Sequence, residues 1–130
     1  SGVGLSRTSD INSSMVKPTL EKLTEELGFV CLSGRSWLER IPRSAYVSDL
    51  LSDVMGKASD GMVWVTSQVH RNIVAVASLK ELSAIIIVNE RPVTNELLEQ
   101  AEREEVVLLA SNLPAYETVG KLYNYLENRE

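Results

Sequence analysis

The chain has 130 residues, 44% hydrophobic and 24% charged, which suits one folded domain with a single core. A net charge of −5 and an isoelectric point of about 5.0 argue against nucleic acid as the main partner, since binding a phosphate backbone calls for a basic face. The apolar runs, such as Ala84–Val88, are far too short to span a bilayer, and the lone Cys31 has no partner for an internal disulfide. No signal peptide is visible, so a cytoplasmic location is expected.

Residues Ser1–Ser14 are rich in Ser and Gly and show no periodicity, so they read as a flexible tail or an expression remnant ahead of a domain spanning residues 15–130. Pro18 and Thr19 open a helix whose Leu20, Leu23 and Leu27 share one face, and Gly28 suits the left-handed residue that ends it. Phe29–Leu32 is a short apolar strand closed by Ser33 and Gly34, and Cys31 inside it reads as packing rather than as a nucleophile. Arg35–Arg43 is irregular. Pro42 excludes a central strand there, and Trp37, Leu38 and Ile41 need cover, either under a loop or in a subunit contact.

Ser44–Val47 reads as a short strand. Ser48 and Asp49 are expected to cap a helix reaching about Lys57, with Leu50, Leu51, Val54 and Met55 as its apolar face. After a turn at Ser59-Asp60-Gly61, three further units follow: strand Met62–Thr66 with a helix from about Arg71 to Leu82, strand Ala84–Val88 with a helix capped by Thr94, and strand Val106–Ala110 with a helix from about Ala115 to Leu126. Continuous apolar strands alternating with helices predict an α/β fold. It is a single domain with a mainly parallel sheet of four to five strands and helices on both faces.

In such a sheet, ligands sit beyond the carboxyl ends of the strands, where helix N-termini point. The residues gathered there are Thr66, Gln68, His70, Asn72, Asn89, Ser111 and Asn112. Their hydroxyls, amides and imidazole are the chemistry that holds a phosphate, carboxylate or sugar, although each also suits a helix cap or a turn. His70, the lone histidine, either donates to a ligand, carries a proton or serves as hydrogen-bonded structure. The chain lacks a Gly-x-x-x-x-Gly-Lys-Ser/Thr phosphate loop, a Gly-x-Gly-x-x-Gly turn and a nucleophile elbow. One His and one Cys make no usual metal cluster. No catalytic residue, no metal and no cofactor is therefore expected, and the chain reads as a non-enzyme.

At Tyr46–Met55 and again at Val65–Ala77 the chain resembles the DRTGG domain family, and the likeness extends over roughly Thr19–Leu126. The namesake segment falls at Glu39–Ala45, where Arg40 fits, Glu39 stands for the acidic residue, and Ser44 and Ala45 replace the paired glycines. The resemblance implies an α/β domain similar to the N-terminal domain of HPr kinase/phosphorylase. The family also appears as a regulatory module beside CBS domains in some pyrophosphatases and in phosphotransacetylases.

The expected function is a stand-alone regulatory domain that senses a small anionic ligand, such as a nucleotide, at the carboxyl edge of the sheet without catalysis. The alternative is a ligand-free dimerisation or protein-interaction module. A homodimer is expected. The helix from Arg71 onward is apolar nearly all round, and Trp37, Leu38 and Ile41 add apolar surface for a contact.

Overall fold

The tetrapeptide Ala84–Ile87 contains no polar side chain, and every residue in it is at most 1% exposed. A strand that is apolar on both faces has to lie inside a sheet covered on both sides. The computed structural model, which describes residues 18–128, shows this arrangement. The expected tail at Ser1–Ser14 and the domain start at residue 15 lie outside the described residues.

Among the described residues the order is α1 (Leu20–Leu27), β1 (Val30–Ser33), β2 (Ser44–Val47), α2 (Leu51–Lys57), β3 (Met62–Thr66), α3 (Asn72–Leu79), β4 (Ala84–Ile87), α4 (Asn95–Arg103), β5 (Leu108–Ala110) and α5 (Ala115–Glu127), with a single turn of 3₁₀ helix at Arg35–Trp37. The sheet order is β1-β5-β4-β3-β2. Strands β2 to β5 run parallel, in registers such as Val65↔Ile86 and Ile86↔Leu109, and β1 pairs antiparallel with β5. The expected α/β class, strand number and two helical layers are all present.

Alternation along the strands divides the core. Trp64, Ile85, Ile87 and Leu108 meet α2, α3 and α4 through Val54, Ile73, Val74, Ala77, Leu97 and Ala101. Val63, Val65, Ile86 and Leu109 meet α1 and α5 through Leu20, Leu23, Leu122 and Tyr125. Trp37 and Leu38 pack against this second layer. The domain's own core thus covers them in part, while Ile41 stays 46% exposed.

Local chemistry sets most helix ends. The Thr19 hydroxyl accepts from Lys22 N–H (3.2 Å) and that of Thr94 from Leu97 N–H (3.1 Å). Gly28, at φ 76°, closes α1. Gly34, at φ 87°, has no room for a side chain, since a Cβ would lie 2.7 Å from the Val107 backbone. That approach seats the end of β1 against β5.

Three expectations are corrected. Helix α3 stops at Leu79 rather than Leu82, because Glu81 turns left-handed at φ 56° and Leu82 folds back into the core. Helix α3 is also not apolar on all sides in context: Ile73, Val74, Val76 and Ala77 are buried, whereas Ala75, Ser78 and Leu79 face solvent. Helix α2 begins at Leu51 with no side-chain cap. Ser48 closes the preceding turn by accepting from Leu50 N–H (3.1 Å), Asp49 reaches elsewhere, and Leu50 and Met55 are exposed.

The irregular segment is fastened by Arg40. Its guanidinium lies 5.8 Å from the Trp37 ring centroid and donates to the Glu105 (2.7 Å) and Ser83 (3.4 Å) carbonyls, at the amino ends of β5 and β4. The Arg40 carbonyl in turn accepts from Leu20 N–H (2.8 Å), and that of Leu38 accepts from Glu21 N–H (2.9 Å). A planar fork is needed to serve two carbonyls and a ring together. Arg40→Ala is expected to cost about 1–3 kcal/mol in urea denaturation, and Arg40→Lys to recover only part of that loss.

Candidate functional site

The parallel register sets up the carboxyl edge. Val47 pairs with Val65, so the residues after β2 run alongside those after β3. Two positions on, the Asp49 carboxylate accepts from Thr66 Oγ1 (2.8 Å), the Ser67 N–H (2.7 Å) and the Ser67 hydroxyl (2.9 Å). The turn carrying Asp49 is pinned from below, where the buried Trp64 indole donates to the Ser48 carbonyl (2.8 Å). Gln68 closes the loop, with its N–H on Thr66 Oγ1 (3.1 Å) and its side-chain amide on the Asp49 carbonyl (3.3 Å). Arg91, reaching from the loop after β4, donates to the Ser67 carbonyl (3.1 Å).

Partial burial pushes the Asp49 carboxyl up. The donors on Ser67 and Thr66 and the Arg91 charge outweigh it and hold the group below the usual carboxylate value. This carboxylate is a structural hub joining β2, β3 and, through Arg91, the loop after β4.

The other edge residues have distinct positions. His70 Nδ1 accepts from Asn72 N–H (3.1 Å), so the exposed imidazole braces the start of α3. Asn72, Asn89 and Asn112 are exposed. Asn89 and Glu90 are consecutive left-handed residues, at φ 66° and 53°, and Asn89 N–H reaches the Leu113 carbonyl (3.3 Å) across the gap between the loops after β4 and β5. Ser111 is buried, shares a 2.7 Å hydrogen bond with Thr118 and accepts from Leu113 N–H (3.1 Å), so it braces the β5–α5 turn.

A recess of about 100 Å³ opens on this edge, lined by Ser48, Asp49, Thr66, Ser67, Asn89 and Ala115, with apolar walls from Val47, Val65 and Val88. Ala115 is the first residue of the 13-residue α5, whose cap position is Pro114, with no side-chain hydrogen bond. Thus Thr66 and Asn89 meet at the recess, whereas Gln68, His70, Asn72, Ser111 and Asn112 lie outside its lining. Asp49 was not among the residues expected at this edge from sequence. The pair Ser48-Asp49 reads locally as a helix cap, and nothing local indicates that the carboxylate crosses to β3. A larger cavity, about 570 Å³, lies at the opposite edge between Arg40, Arg43, Asp60, Glu81 and Glu105, where Arg40 is already engaged. Among the described residues, no three His, Cys, Asp or Glu side chains converge as a metal site would require.

Asp49→Ala is expected to destabilise the fold by about 1–2 kcal/mol at neutral pH, a charge-assisted contribution discounted for exposure. Because the folded carboxyl titrates below its ordinary value of 3.8, the contribution is complete above that value and is lost as pH falls through the lower folded one. Urea titrations of wild type and variant at neutral and strongly acid pH check this. The difference between them should close in acid, and one that persists undiminished would show that the charge plays no part.

No protein-family model matches the chain, and no curated protein matches it. Among solved structures it is similar to the CBS and DRTGG domains of the regulatory region of Clostridium perfringens pyrophosphatase, complexed with the activator diadenosine tetraphosphate. The TM-score is 0.68 at 11% identity, over 94% of this chain and 59% of that one. The chain thus spans somewhat more than half the length of that structure, and the likeness is one of fold: this domain has a DRTGG-related α/β fold. No helix among the described residues is long and apolar enough to cross a membrane.

Proposed function

We propose that this domain is a regulatory module that senses a small anionic ligand at its carboxyl edge and performs no catalysis, with a nucleotide the ligand class best supported. The observation that carries this reading is the uncapped N-terminus of α5 standing over the recess. The first N–H groups of a helix seek acceptors, and an anion supplies them.

The topology supports the same place. Helices α2, α3 and α4 pack on one face and α5 on the other, so the connections after β4 and β5 leave the edge in opposite directions. In open α/β sheets the ligand crevice forms where connections diverge in this way. Backbone strain at Asn89 and Glu90 falls in one of the two loops flanking that divergence. The recess takes a group of phosphate or sugar size. Arg91 supplies positive charge beside it, and the rest of a nucleotide would extend over His70, Asn72 and Asn112. The pyrophosphatase regulatory region of similar fold was solved with a dinucleotide activator, which makes nucleotides the first class to test.

Thermal-shift measurements with mono- and dinucleotides, inorganic phosphate and simple carboxylates are the direct test. A ligand at a hundred times its dissociation constant should stabilise the domain by about 2.7 kcal/mol, roughly 10 °C in Tm at this size. Asn89→Ala and Arg91→Ala should remove most of that shift, and His70→Ala and Asn72→Ala part of it. If no anion in the panel raises Tm, the reading fails and a ligand-free interaction module takes its place. If a shift survives all four substitutions, the ligand sits elsewhere.

A further inference from the structure

The two edges of the sheet are finished differently. At one edge β1 is interrupted by a bulge between Cys31 and Ser33, and the Arg35 guanidinium takes up the Cys31 carbonyl (3.0 Å). Bulges and charged side chains are the devices that keep a strand edge from pairing. At the other edge β2 is regular, with all four residues from Ser44 to Val47 in unbroken register on β3 and, among the described residues, no strand on its outer side.

Apolar surface gathers beside that open edge. Val47 is 49% exposed, Leu50 63% and Tyr123 64%. Between β2 and α5 runs a groove of about 190 Å³ lined by Ala45, Val47, Val119, Leu122, Tyr123 and Leu126. An unpaired backbone edge flanked by an apolar groove is the form that receives another strand.

We propose that β2 is the contact edge of a symmetric homodimer, pairing antiparallel with β2 of a second copy. The charge order along the edge favours a second copy over a foreign strand. Arg43 precedes the strand with its side chain 70% exposed, and Asp49 follows it on an exposed turn. The Arg43 side chain packs over Gly61 and its guanidinium meets Asp60 at 3.5 Å, an exposed pair that a second carboxylate can join. In a two-fold pair centred on Tyr46, Arg43 of each copy stands opposite Asp49 of the other, and both ends are matched by one rule.

The same register sets Ala45 opposite Val47, two residues that line the α5 groove. A two-fold axis perpendicular to the sheet keeps both α5 helices on one face, so each Val47 seats beside the other copy's Ala45 and Tyr123. The five-stranded sheet becomes a continuous ten-stranded one, in which β2 is an interior strand (2 × 5). This surface differs from the one expected from sequence, which lay on helix α3 and the segment Arg35–Arg43. The inference stands apart from the ligand reading and is tested without ligand.

Light scattering across a micromolar dilution series should give twice 14.4 kDa at the concentrated end, falling toward 14.4 kDa on dilution. Val47→Lys and Tyr123→Glu should each weaken the dimer roughly tenfold or more, while Val30→Lys on the blunted edge and Leu79→Lys on α3 should leave it unchanged. Hydrogen exchange on the wild-type protein is the second measurement, with amide protection across Ser44–Val47 rising with protein concentration. A mass of 14.4 kDa at every concentration overturns the proposal, as does a dimer indifferent to both β2-side substitutions or protection at β2 that does not change with concentration.

Discussion

The constraint on which the rest of the structure depends is that β4 cannot meet water on either side. Its four residues are buried to within 1%, so helices must cover both faces of the sheet. Consecutive right-handed crossovers between neighbouring parallel strands place α2, α3 and α4 on one side. The second side then depends on segments outside that run: α1, which enters with β1, and α5, which leaves β5 and crosses back over β3 and β2. The divergence of loops at the carboxyl edge is a by-product of covering β4, and the recess under the α5 terminus exists because of it.

The two edges of the parallel block are held by two charged side chains that work in the same way. Arg40 gathers carbonyls from the amino ends of β4 and β5, and Asp49 gathers donors from the carboxyl end of β3. Each places a charge where several backbone or hydroxyl dipoles already converge, so its desolvation is met by hydrogen bonds. The polar residues of the carboxyl edge therefore have unequal freedom. Thr66, Ser67 and Ser111 are committed to the fold, and the proposed ligand is left with Asn89, Arg91, His70 and the backbone of α5.

Signals carried by near neighbours in the chain were legible in the sequence. The caps at Thr19 and Thr94, the left-handed Gly28 and the apolar strands β3 and β4 all rest on contacts within a few residues or on uniform burial, and the fold class follows from them. Interactions across long separations were not. Asp49 reads as a cap because Ser-Asp before an apolar run is a cap in most settings, yet its partners lie 17 and 18 residues on. Arg40 finds Glu105 65 residues away. Helix α3 looked apolar all round because composition records which residues are hydrophobic but not which side a sheet will cover. Topology placed the candidate residues at the carboxyl edge of the sheet, while the lining of the recess there is set by contacts that only the folded chain defines.

The antiparallel pairing of β1 has a consequence for the order of assembly. Strands β2, β3, β4 and β5 are each neighbours in sequence as well as in space, so the parallel block can grow unit by unit while the chain is being made, each closure spanning only a short loop. Strand β1 is different, because Val30 pairs with Ala110, near the far end of the domain. Helix α1 and β1 leave the ribosome ahead of the block they complete, and β1 has no strand to pair with until β5 arrives. The first of the described strands to be synthesised is the last to find its partner, and a nascent chain paused before β5 would carry β1 unpaired.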